Sequence, residues 1–128
     1  EGGFTSELKR QQSLGYSIYV LMAYATLARC GEQTCDELWH YTTANGRSPE
    51  RGVAFLAPYL SGDKTWAWPD IDAGEPASLR GFLVARLAAK RYPALAPLLR
   101  RAADRAIAEN RKNPAAQIQL LLDCAPEN

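Results

Sequence analysis

The stretch "LGYSIYVLMAYATLAR", residues 14–29, carries no charge before its final arginine and no proline. Its apolar positions (Leu14, Ile18, Leu21, Met22, Ala25, Leu27, Ala28) cover most of a helical circumference. A helix that is apolar nearly all round is normally buried by neighbours on several sides. This constrains the chain more than any other feature, because the fold must supply that cover. Ser13 is expected to cap the helix, its hydroxyl accepting from an early N–H. Gly31 is expected just past its end, as a C′ residue.

The remaining punctuation reads as helices and loops. Residues 1–12 are polar and irregular, and Gly31 to Arg47 is loop-like, with a short helical piece around Asp36–His40. "SPERGVAFLAPYLSG" restarts a helix, with Ser48 as N-cap, Pro49 at N1 and Glu50 in the first turn. Val53, Leu56, Ala57 and Leu60 recur at helical spacing, and Pro58 implies a kink or a short helix. After a loop carrying Trp66 and Trp68, three more helices are expected: Ser78 to Lys90, one opening at Pro93, and one opening at Asn113-Pro114 with Ile118, Leu121 and Leu122. No run alternates as a strand would. The class is all-α, a single helical domain over residues 1–128 built from antiparallel hairpins. Only four further helices are available to cover the first. Either they wrap it completely or part of its partner surface lies outside this sequence.

Composition excludes several functions. The chain has 128 residues and a net charge of +1, which draws no nucleic acid by its overall field. The late basic residues Arg100, Arg101, Arg105, Arg111 and Lys112 are interrupted by Asp104 and Glu109 and read as a solvated helix face. No apolar run reaches the ~18 residues of a membrane span. The cysteines are Cys30, Cys35 and Cys124. No second pair follows at zinc-site spacing. Cys30–Cys35 would close the shortest disulfide loop, leaving Cys124 over; the odd count fits a fragment whose third partner lies elsewhere or a cytosolic protein with buried thiols, and the oxidising compartment is modestly preferred. Glu1 is not a natural translation start, so an upstream part is expected.

Candidate chemistry is sparse. No glycine-rich phosphate loop and no nucleophile elbow is present, and neither a metal nor a cofactor is expected. Asp70 and Asp72 read as a solvated loop pair. His40, the only histidine, reads as a partly buried, hydrogen-bonded residue. Trp66 and Trp68 fit either a sugar-stacking platform or loop anchors on the core, and anchoring is preferred. That leaves Lys9, Arg10 and Tyr16 at the entrance to the apolar helix. A tyrosine with its pKa near ~10 is a poor base at neutral pH. A neighbouring cation favours phenolate and so suits a phenol to proton transfer. Residues six apart lie about 240° apart on an α-helix. Arg10 therefore meets Tyr16 only if the helix starts near Ser13 and Arg10 folds back from an irregular segment. Lys9, seven before Tyr16, would share its face on a continuous helix. Gly15 would allow a substrate or a neighbouring chain to approach closely.

The segments "GGFTSELKRQQSLGYSIYVL", "DELWHYTTANGRSPERGVAFLAPYL" and "WAWP", in that order from Gly2 to Pro69, resemble the C-terminal part of the alginate lyase family of polysaccharide lyases. The resemblance implies that the helical hairpins form part of an (α/α) toroid. It implies β-elimination on a uronate-containing polysaccharide, with Tyr16 and Arg10 in the catalytic positions and no cofactor. Lys9, Tyr19 and His40 are expected as substrate contacts. The expected partners are an acidic polysaccharide and the upstream part of the same protein, not nucleic acid or a membrane, in the periplasm or outside the cell. Two departures accompany the likeness. The family's asparagine–histidine pair has no counterpart here, and His40 falls in the wrong block to replace it. Some relatives place the arginine seven before the tyrosine, where this chain has Lys9, whose ammonium lacks a bidentate fork. The alternative is a non-catalytic helical module that binds acidic polysaccharide or a protein partner.

Overall fold

In the computed structural model, residues 3–34, 37–71 and 79–110 are described. These residues form four α-helices: α1 (Ser13–Gly31), α2 (Pro49–Ser61), α3 (Leu79–Arg91) and α4 (Ala96–Asn110). Short 3-10 turns at Glu7–Lys9 and Pro93–Leu95 precede α1 and α4. Among the described residues there is no strand, only an isolated antiparallel bridge between Gln12 and Asp70. The all-α class holds. The helix expected after Asn113-Pro114 lies outside the described residues.

The elements begin and end for local reasons. Ser48 caps α2 through its hydroxyl, which accepts from the Arg51 N–H at 3.2 Å, and Pro49 opens the helix. Pro58 sits in the last turn of α2 and the helix runs on to Ser61. Gly62 then ends it at φ +87°, a left-handed conformation that costs a side-chain-bearing residue free energy. Gly31 departs from expectation. It is the last residue of α1, the C-cap falls on Glu32, and Gly31 has no positive φ. The expected helix near Asp36–His40 is only a turn at Trp39-His40, Asp36 itself lying outside the described residues.

The core joins one face of each helix. Ile18, Leu21, Ala25 and Ala28 of α1 meet Val53, Leu56, Ala57 and Leu60 of α2, Phe82, Ala85 and Ala88 of α3, and Leu99, Ala102 and Ala106 of α4. The buried faces of α3 and α4 are rich in alanine, which lets two backbones approach closely; interaxial distance follows side-chain size. A short turn at 92–95 joins these two helices as a hairpin. α1 runs parallel to α3. Arg80 near the start of α3 stands over Tyr19 in the second turn of α1, and Arg91 at the end of α3 pairs with Glu32 at the C-cap of α1.

The cover of α1 is one-sided. Leu14, Ile18, Leu21, Ala25 and Ala28 are buried, but Tyr16, Tyr19, Tyr24 and Leu27 are exposed, Leu27 to 59%. The three other described helices leave this face open, and the fourth expected covering helix, after Asn113-Pro114, lies outside the described residues.

The far end of the bundle is closed by Tyr92. Its hydroxyl donates to the Trp39 carbonyl at 2.7 Å, and its ring meets Trp39 and His40 edge-on. Burial, followed by the charges of Glu50 and Glu37, pushes its phenol up to about 12. A phenol raised in the folded state stabilises the fold fully below the unfolded pKa of ~10, and that stability is lost as pH rises toward the folded value. Denaturant unfolding of the wild type between pH 9 and about 12 should therefore show a stability loss that Tyr92→Phe lacks. At neutral pH the variant should be weaker by about 1 kcal/mol for the lost hydrogen bond.

Candidate functional site

The site sits where the chain enters α1, and a hydrogen-bond relay fixes that entry. Ser13 is fully buried. Its hydroxyl donates to the Pro69 carbonyl at 2.6 Å and accepts from the Trp66 indole N–H at 2.8 Å. Its backbone N–H also donates to Pro69, and the Ile71 N–H donates to the Gln11 carbonyl at 2.7 Å. Ser13 therefore does not cap α1. It is the first helical residue, and Gln12 at the N-cap makes no side-chain capping bond. The hydroxyl is committed across the structure, and the Pro69 carbonyl takes up an N–H that a local cap would not reach.

The loop after α2 delivers those partners. Trp66 and Trp68 are half-buried, with ring centroids 4.8 Å apart, and both pack against Phe55 and Tyr59 of α2. The two tryptophans are anchors that tie the loop to α2, and Trp66 extends the tie to α1.

The pinned entry positions Tyr16. Arg10 follows the 3-10 turn in an extended conformation (φ −81°, ψ 158°), and α1 starts only at Ser13. The chain thus folds back, and the Arg10 guanidinium lies 4.6 Å from the centroid of the Tyr16 ring. Glu7 pairs with Arg10, with Oε2 3.0 Å from Nε. Tyr16 is 39% exposed. Its ring is neither sealed in the core nor separated from the arginine. The cation and the phenol face solvent as a unit, with the N-terminus of α1 adding its positive dipole end.

The other expected residues are distributed unevenly. Tyr19 lies one helical step from Tyr16 on the same face, 52% exposed, with Arg80 at 5.6 Å from its ring centroid. Lys9 ends the 3-10 turn and is exposed, and no described contact joins it to Tyr16. The continuous helix that would have put Lys9 on the tyrosine's face does not form. His40 is exposed rather than partly buried, and its ring stands 5.7 Å from that of Tyr92. Tyr92 adjoins Arg91, which pairs with Glu32 at the other end of α1. That end lies about 24 Å along the axis from Tyr16 at 1.5 Å per residue, so the structure does not bring His40 to the tyrosine. Arg80 was not anticipated. It stands near the start of α3, and only the packing of α3 beside α1 brings it to Tyr19.

Other features are bland. No group of three or more His, Cys, Asp or Glu among the described residues is arranged to hold a metal ion. Cys30 is an exposed free thiol, while Cys35 and Cys124 lie outside the described residues. Arg101 pairs with Asp63 at 2.6 Å and Arg105 with Glu109 at 2.7 Å, as expected of a solvated face. No helix among the described residues is long and apolar enough to cross a membrane.

A family model described as alginate lyase matches residues 1–66, just over half of the chain and the part that builds the Tyr16 site. The chain belongs to the alginate lyase family. No curated protein and no solved structure matches it. The family segment ends at Trp66, the residue whose indole reaches Ser13. It therefore includes both the catalytic candidates and the indole that fixes their helix.

Two substitutions probe this geometry. Ser13→Ala leaves the Trp66 N–H without its acceptor and is expected to cost about 1–3 kcal/mol, read as a lower denaturation midpoint. It should also change Trp fluorescence, because the indole loses its hydrogen bond. Gly15 has open space where a Cβ would stand. Gly15→Ala should accordingly raise stability by about 0.5–1 kcal/mol through helix propensity, measured as a higher thermal midpoint.

Proposed function

We propose that this chain carries the tyrosine half of a polysaccharide lyase site that cuts a uronate-containing, alginate-like polymer by β-elimination. The observation that carries the reading is Arg10 set over the solvent-facing ring of Tyr16, in the segment matched to the family.

The chemistry needs three groups. A cation or amide neutralises the C5 carboxylate and acidifies the C5 proton. A base removes that proton; its electron pair forms the C4–C5 double bond and the C4–O bond breaks. An acid then protonates the departing oxygen. Tyr16 is assigned that last step, since its hydroxyl is both a proton donor and open to solvent. Arg10 favours negative charge developing on the phenol as the proton leaves, the kind of fixed electrostatic support that dominates such reactions. Glu7 keeps the guanidinium in place but also competes with substrate for its charge. The carboxylate neutraliser and the base are assigned to the upstream part of the same protein, which would pack against the exposed face of α1. An acidic polysaccharide is met outside the cytoplasm, so we place the protein in the periplasm or outside the cell.

The full-length protein should generate unsaturated uronate ends, followed by their ultraviolet absorbance, and residues 1–128 alone should not. Tyr16→Phe should lower the rate by about 10²–10⁴-fold, the usual contribution of a general acid. Arg10→Ala should lower it as well, with Arg10→Lys only partly restoring it, because lysine lacks the planar guanidinium. Equal rates for wild type and Tyr16→Phe would remove the catalytic assignment. Uronate binding without cleavage by the full-length protein would establish the non-catalytic module instead.

A further inference from the structure

The exposed face of α1 carries a second aromatic–cation pair beside the first. Tyr16 and Tyr19 are three residues apart and project from one side of the helix, so their Cβ atoms stand about 5–6 Å apart. The Arg10 guanidinium lies 4.6 Å from the centroid of the first ring and that of Arg80 5.6 Å from the centroid of the second. The two arginines come from different elements, one from the segment before α1 and one from the start of α3.

Arg80 is held where a cation is costly. It occupies the second position of α3, where the helix dipole places partial positive charge. It is exposed and makes no ion pair with any described residue. Its guanidinium carbon stands 5.6 Å from the Tyr19 ring centroid, and no carboxylate among the described residues pairs with its N–H donors. Arginine presents those donors in a fork that matches a carboxylate. A planar phenol beside the fork offers a surface for the apolar face of a pyranose ring. The spacing of the two tyrosines is close to the length of one sugar ring.

We infer that Arg80 and Tyr19 form a uronate-binding subsite next to the Tyr16–Arg10 pair, with Arg80 taking the carboxylate of the neighbouring sugar. The inference rests on the lyase reading for its substrate class. It adds a residue outside the segment matched to the family, and it explains why a cation stands at the positive end of α3. Arg80 acts in binding and does not touch the reacting atoms. Its loss should therefore raise KM and leave kcat unchanged.

The test uses the full-length protein and two probes, a saturated β-1,4-linked mannuronate tetramer and its neutral counterpart, β-1,4-mannotetraose. Calorimetric titration in a Tyr16→Phe background, where cleavage is slowed, with Arg80 kept, changed to Ala or changed to Lys, gives the affinities, and circular dichroism checks that each variant is folded. Arg80→Ala should weaken the acidic tetramer about tenfold, as expected for one charge-assisted contact. Arg80→Lys should weaken it less, and the neutral tetramer should not discriminate among the three. An unchanged affinity of Arg80→Ala for the acidic tetramer would overturn the subsite. So would equal weakening of both probes, which marks a purely structural arginine, and so would absence of acidic-tetramer binding by the Tyr16→Phe parent. Arg80-dependent binding by a protein that fails to cleave polymer would keep the subsite and remove the lyase reading. Cleavage with an unchanged KM in Arg80→Ala would do the reverse.

Discussion

The hydroxyl of Ser13 is the point on which the candidate site depends. It donates to Pro69 and accepts from Trp66, so one buried oxygen joins the start of α1 to the loop after α2. A buried polar group that keeps both roles filled stabilises one arrangement and penalises alternatives, because any other leaves an indole N–H or a carbonyl without a partner. The consequence is geometric. With α1 forced to begin at Ser13, Arg10 cannot continue the helix and instead folds over Tyr16. A helix that began several residues earlier would have carried Arg10 to a different face.

The opposite end of α1 is held by a related device with different chemistry. The Glu32 carboxylate accepts from the Trp39 indole and from Arg91, joining the end of α1 to the loop before α2 and to the end of α3. Tyr92 then closes the same loop by its bond to the Trp39 carbonyl. These ties fix the end of α1 relative to the end of α3. The packing of α3 beside α1 brings Arg80 to Tyr19, while His40 stays at the Tyr92 end, away from Tyr16 and Tyr19. Both ends carry structural polar contacts, and the start of α1 adds the exposed Tyr16–Arg10 and Tyr19–Arg80 pairs.

The unfilled face of α1 gives the two ends their functional sense. The helices of the described bundle satisfy Leu14, Ile18, Leu21, Ala25 and Ala28, yet Tyr19, Tyr24 and Leu27 remain exposed. Tyrosines tolerate such a position better than leucine does, since each keeps a polar tip for water or a ligand. Such a face is where the proposed substrate and the proposed upstream part of the protein would meet the chain.

Much of this could be read from residue order. The apolar run dictated a long first helix, and "SPERG" dictated a capped one, because capping and periodicity are local physics. Family membership was legible from the separated blocks between Gly2 and Pro69. The Tyr16–Arg10 pairing was visible only conditionally, because residues six apart meet or diverge according to where a helix begins. That starting point was decided by Trp66 and Pro69, more than fifty positions downstream, so no local pattern near Ser13 announces it. The same holds for Lys9 and His40, whose distance from Tyr16 follows from chain path, and for Arg80, whose neighbour is chosen by the packing of α3 on α1. The sequence by itself determined the four described helices, the apolar stripe and the residue types at its entrance. The tertiary structure alone decided which cation faces which phenol, because long-range hydrogen bonds and helix packing set positions that local propensities leave free.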